Sequence, residues 1–216
     1  MLLWPAMLLG TYYGVCAVLL LLYNLIPPPT TGVQIQRFVE SLFEEQEYDF
    51  RYDPVALANI SDHLKHAVIA AEDARFYQHG GVDYEALRQA IEDNRRRGRM
   101  WRGGSTITQQ LVKNLFMTTH SSVLRKALEF PLAYMAELLL SKERILYLYL
   151  NVIEWGRGVY GAEAAARHYY GTSAASLSRY QAASLAAIIP SPRTRMPQRM
   201  GSYTNTILRR MGQAGW

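Results

Sequence analysis

The first charged side chain in the sequence is Arg37. Ahead of it, Leu2 to Ile26 reads LLWPAMLLGTYYGVCAVLLLLYNLI, an apolar run long enough to supply the ~20 residues a helix needs to cross a bilayer core. Pro27, Pro28 and Pro29 end that helix, because proline cannot continue it. Trp4, Tyr12, Tyr13 and Tyr23 are the amphipathic residues that gather at membrane interfaces, yet Tyr12 and Tyr13 lie mid-segment. A cleaved secretory signal needs a basic stretch before the apolar run and a small-residue cleavage site after it, and neither is present. Residues 1–29 therefore read as a retained single-span anchor. No Lys or Arg precedes the span, so charge leaves its orientation almost unspecified.

Charge divides the rest. Residues 37–94 hold 13 acids and 5 bases, whereas residues 95–216 hold 5 acids and 18 bases. Half of the chain is apolar, which excludes a wholly disordered or fibrous protein. Cys16 is the single cysteine, so a disulfide framework and a cysteine-based metal site are excluded. Residues 30–60, rich in acids and aromatics, form a membrane-proximal linker, either a helix followed by a strand or an extended piece. Residues 61–216 read as one mainly α domain.

Within it, LKHAVIAAEDARFYQHGGVDYEAL places Leu64, Val68 and Glu72 on one helical face, and Gly80-Gly81 is expected to end the helix. A glutamate on an apolar face loses hydration; its pKa rises and it can accept a proton near neutrality, or it merely pairs with an arginine. Asp73 lies a residue further round, in a more polar setting, and Phe76 one turn below. In GGSTITQQLVKNLF, Ser105 or Thr106 caps a helix whose Thr106, Gln110 and Lys113 share a face flanked by Gln109 and Asn114. Such a glycine-opened start with N–H groups to spare suits an anion, and equally suits a plain capped helix. In RKALEFPLAYMAELLLSKERILYLYLN, Glu129 sits beside the small Ala133 and Ala136, with Arg125 four residues before it as an ion-pair partner. Pro131 should kink that helix or reset its start, and Asn151 reads as a polar cap. A further helix starts after Ser178 and stops before Pro190. The cluster Arg95, Arg96, Arg97, Arg99 and Arg102 reads as a mobile basic loop beside the cleft, because like charges and glycines oppose a helix.

The segments EDARFYQHGGVD, GGSTITQQLVKN, RKALE, KERILYLYLN and GVYGAEAAARHYYG, in this order and spacing, resemble the peptidoglycan glycosyltransferases of glycosyltransferase family 51. The likeness spans about Ser61 to Pro192. No transpeptidase domain is expected, because the chain stops soon after the last motif. Pro131 and the lack of basic residues before the span are its departures. The resemblance implies a lysozyme-like, mainly α glycosyltransferase domain behind a single N-terminal transmembrane helix. It also implies polymerisation of lipid II on the outer, periplasmic face of a bacterial inner membrane, with Glu72 as general base and Glu129 as the second catalytic glutamate. Asp73, Phe76, His79, Ser105, Thr106, Gln109, Gln110, Lys113, Asn114, Arg125 and Lys126 are implied to bind substrate. Glu129 is implied to organise the pyrophosphate side through a basic residue or a divalent cation, Mg or Mn, and no organic cofactor is expected. The implied partners are lipid II, the growing glycan on its pyrophosphate lipid, the membrane, and other cell-wall synthesis and division proteins. Nucleic acid is not expected, since the bases do not alternate with base-stacking aromatics.

Overall fold

In the computed structural model, which describes residues 3–98, 103–120 and 122–216, the apolar run forms α1 (Leu3–Tyr23). Its described residues expose most of their side chains, and Ala6–Tyr23 is long and apolar enough to cross a membrane. Its second half is not free: Cys16, Leu20 and Tyr23 are buried in the common core. Thr31 then opens α2 (Gly32–Ser41) with a capping box, its hydroxyl accepting from Gln34 N–H while the Gln34 side chain accepts from Thr31 N–H. Segment 30–60 is thus a helix followed by the short strand β1 (Arg51–Tyr52), and both are tied to the body. Gly32 lies so near α5 (Ile107–Phe116) that a Cβ would fall 2.7 Å from the Met117 carbonyl oxygen. Gln36 bonds Thr119, and the Tyr52 hydroxyl donates to the Pro28 carbonyl.

The domain is a packing of helices with one small sheet at its side. α3 (Asp62–Glu72) lies against α9 (Arg179–Ala186) and α10 (Gly201–Gln213). α5 lies at the centre, against α2, α6 (Val123–Leu139) and α7 (Lys142–Val152). α4 (Tyr84–Arg97) and α8 (Ala162–Tyr170) complete the set. β1 pairs in parallel with β3 (Val159–Tyr160), which pairs antiparallel with β2 (Glu154–Gly156). Trp155, Tyr149, Tyr160 and Phe76 are the largest fully buried side chains.

Three expectations are corrected, and one, for Pro131, is narrowed to the first of its two alternatives. α3 stops at Glu72, well before Gly80-Gly81, because Asp73 leaves helical geometry (φ −158, ψ 73) to reach other partners. Gly81 instead permits a close approach: at φ +95, a Cβ there would fall 3.0 Å from the Ala133 carbonyl oxygen on α6. Arg95, Arg96 and Arg97 are helical, closing α4 ahead of the left-handed Gly98, since cations in a last turn complement the helix dipole. Arg99 and Arg102 lie outside the described residues. α6 starts at its Ser122 cap and runs through Pro131, so proline does not reset its start. Asn151 is no cap: fully buried within α7, it accepts from Val55 N–H and donates to Val55 O, stapling the segment before α3 to the core.

Candidate active site

Three helices deliver the ionisable groups. Glu72 is the last residue of α3, where protein atoms crowd it yet solvent still reaches it. Gln110, one turn into α5, donates Nε2–H to Glu72 Oε2 at 2.7 Å. The Tyr149 hydroxyl donates to Gln110 Oε1 at 2.9 Å, so the amide has its N–H side committed to the carboxylate. Burial pushes the Glu72 carboxyl above the ordinary glutamate range; the Gln110 bond and the charges of Lys113 and Arg195 oppose that, and Asp73 adds to it. Lys113, one turn further along α5, is pushed down by burial and by Arg125, while Glu72 favours its charged form.

α6 presents a second acid in a different setting. Glu129 is 2% exposed, and both of its oxygens are taken. Arg125 donates to Oε1, and Lys126 donates to Oε2 at 2.8 Å. Lys126 also donates to the Ser105 hydroxyl at 2.8 Å, linking α6 to the glycine-rich approach to α5. Burial, then Arg125 and Lys113, push the Lys126 ammonium down to about 8, whereas the bond to Glu129 holds its charge. The expected Arg125–Glu129 pair is therefore present, as one arm of a triad.

The start of α5 is closed rather than open to an outside anion. Thr106 caps it with a capping box to Gln109, and Ile107 N–H donates to Asp73 Oδ2 at 3.0 Å. The anion at this helix start is the chain's own. His79 Nε2 lies 2.9 and 3.0 Å from the two Asp73 oxygens, and the Thr106 hydroxyl donates to Gly81 O at 2.6 Å. Asp73, expected in a polar setting, is buried with these partners. Phe76 is fully buried beneath the Lys142 ammonium, 4.5 Å from its ring centre. Asn114 is buried as well and donates to the Gln110 carbonyl. The structure thus brings Glu72, Gln110, Lys113, Ser105, Arg125, Lys126 and Glu129 into one linked group, joined through Lys113, which feels both Glu72 and Arg125. It turns Asp73, Phe76, His79, Thr106, Gln109 and Asn114 inward as its frame.

Two groups offer oxygen or nitrogen donors that a cation could use. Asp73, His79 and Asp83 bring ligand atoms within 4.8 Å of one another. Asp73 is already spent on His79 and α5, and Asp83 caps α4 through Ala86 N–H. Glu129 offers one carboxylate whose oxygens already accept from two cationic side chains, which does not fit the oxygen-rich shell of Mg or Mn. The positive charge at this side comes from Arg125, Lys126 and Lys113.

A family model described as Transglycosylase matches residues 38–212. The chain belongs to the transglycosylase family. A biosynthetic peptidoglycan transglycosylase of Bordetella pertussis is 51% identical over 192 residues, 85% of this chain and 79% of that relative. The proteins of the same name from Herminiimonas arsenicoxydans (48% over 191 residues; 87% of this chain, 83% of the relative) and Pseudomonas entomophila (46% over 206; 94% and 86%) are similar in the same way. The family match extends past the motifs that carried the resemblance, taking in the last turn of α2 and most of α10. The expected fold class, mainly α and lysozyme-like behind one N-terminal apolar helix, holds.

Sequence reasoning missed several participants. Tyr149, read as part of a core helix, orients Gln110. Arg195, before α10, bears electrostatically on Glu72. Arg37 of α2 bonds the buried Glu154, whose carboxyl is raised by burial against the pull of Arg37. An isolated acid in EWGRG beside aromatics was the available signal for the last.

Proposed function

We propose that this transglycosylase polymerises lipid II. In this reading Glu72 accepts the proton of the acceptor GlcNAc 4-hydroxyl as its oxygen attacks C1 of the donor MurNAc. The α-linked phosphate bond breaks, its electron pair leaves with undecaprenyl pyrophosphate, and the new linkage is β-1,4, so the carbon inverts. A raised carboxyl pKa near the working pH is what a general base needs, and the Gln110 bond aims the carboxylate. The leaving pyrophosphate already carries charge well, so cations are of more use to it than a strong acid. Arg125, Lys126 and Lys113 supply them, with Glu129 holding the first two in register. We assign no step to a divalent metal.

The observation that carries this reading is the pairing of a lone, neutral-bonded acid with a triad rich in positive charge, the two linked through Lys113. α1 anchors the enzyme in the bacterial inner membrane, with the catalytic domain on the periplasmic side where lipid II is polymerised. Other cell-wall synthesis and division proteins are its expected neighbours. Incubation of the full chain with labelled lipid II, with and without a β-lactam, tests the proposal: glycan strands should form, and the β-lactam should change nothing. No polymer from folded enzyme in detergent would overturn it. Crosslinking that a β-lactam suppresses would overturn the monofunctional part.

A further inference from the structure

Two oddities of the sequence meet in the structure: tyrosines halfway along an apolar helix, and a proline halfway along a charged one. The Tyr13 hydroxyl donates to the Leu128 carbonyl of α6 at 3.4 Å, and the Tyr12 hydroxyl to the Phe116 carbonyl at the end of α5 at 3.3 Å. Pro131 has no N–H, so the Ala127 carbonyl lacks its i→i−4 partner, and the proline ring crowds the same turn. The Leu128 carbonyl that Tyr13 reaches lies one residue beyond the orphaned Ala127 carbonyl, in the same turn. Side chains of a neighbouring helix commonly support backbone that a proline loosens. A tyrosine hydroxyl inside an apolar span in turn requires an acceptor.

The part of α6 on the N-terminal side of this break, Val123–Phe130, carries Arg125, Lys126 and Glu129. Its angle to the rest of the helix sets where the triad points. We propose that Tyr13 is a positioning residue for the reaction: through the Leu128 carbonyl it holds this half-helix, and with it the triad, at the angle that meets the pyrophosphate. The inference rests on the assignment of the triad to that group and on α1 as a span. α1 is then part of the frame of the site as well as its tether. Tyr12 acts in parallel at the end of α5, the helix of Gln110 and Lys113.

The test uses the full chain in lipid vesicles with Tyr13→Phe, Pro131→Ala and the double variant. Tyr13→Phe keeps the ring and the span and removes only the hydroxyl. It should lower kcat/KM for lipid II by about 3- to 10-fold, the effect of one modest hydrogen bond, chiefly through KM. In the Pro131→Ala background, where the helix regains its own bond, the same change should have less than about a 2-fold effect, because the two sites are coupled. Hydrogen exchange is read in parallel: amides of residues 128–135 should exchange faster in Tyr13→Phe, and only while Pro131 is present. Equal losses in both backgrounds, or unchanged kcat/KM and exchange in Tyr13→Phe, overturn the proposal. If wild type makes no polymer, the assigned reaction fails while the exchange measurement still decides the role of Tyr13. Should Pro131→Ala not fold, the exchange of Tyr13→Phe against wild type decides it.

Discussion

The two glutamates of the site, Glu72 and Glu129, are the same residue type in opposite circumstances. Glu72 bonds a neutral amide and meets its cations only at a distance, so its proton affinity is raised and its charge is available. Glu129 is neutralised at both oxygens by Arg125 and Lys126, so it is spent on holding cations. Environment, not identity, divides the labour: desolvation prepares one acid for proton transfer, and ion pairing makes the other an organiser of positive charge. Substitutions that remove charge and keep shape should therefore separate the two.

The largest effect belongs to Glu72→Gln. The variant should fold with unchanged melting temperature, since its partner Gln110 is neutral, yet polymerise lipid II at least ~100-fold more slowly, the lower range for a general base. A near wild-type rate would falsify the assignment. Glu129→Gln should show the reverse balance. Its rate should fall by about 10-fold through misplaced cations, and its stability should drop measurably, because two partly buried cations lose their carboxylate. A melting temperature unchanged in Glu129→Gln but lowered in Glu72→Gln would invert the comparison.

The pH profile sharpens it further. The acid limb should lie above the ordinary glutamate range, because Glu72 must lose its proton to work and its pKa is raised. The alkaline limb should follow Lys126, which burial and its cationic neighbours push down to about 8 and which works only while protonated. Lys126→Arg should move that limb upward, since arginine stays charged throughout. Glu129→Gln should move it downward, by removing the group that holds the ammonium charged. An alkaline limb indifferent to both changes would take Lys126 out of the reaction.

Much of this arrangement was legible because it is local. The apolar run, the Thr106 cap, the start after Ser178 and the Arg125–Glu129 pair each depend on residues within a turn or two. What escaped is long-range. Asp73 leaves its helix to meet Ile107 N–H, 34 positions away, so a helix that its residue pattern would continue is cut at Glu72. Asn151 and Tyr149 sit in a helix that periodicity labels as core, and only the fold reveals that their polar ends staple Val55 and orient Gln110. The arginine run was misread for another reason: like charges repel along a helix, but at a C-terminus the dipole and a glycine cap compensate.

That run supplies the smallest expected effect and a contrast with the sheltered cations of the site. Arg95, Arg96 and Arg97 are exposed, whereas Lys113 and Lys126 are sheltered, so salt should reach the first group and not the second. Each exposed basic residue near an anionic lipid surface contributes about 1 kcal/mol of attraction. Because the three are helical, glutamine is the suitable replacement: it removes charge and retains helix propensity. The triple Arg→Gln variant should bind anionic vesicles more weakly and make shorter glycans, by about 2- to 3-fold in length at low salt, and it should match wild type at high ionic strength. The first coupling should proceed, since Glu72 and the triad are untouched. If length and salt dependence both stay at wild-type values, these arginines only close α4; if the loss persists at high salt, they belong with the sheltered cations and the contrast fails.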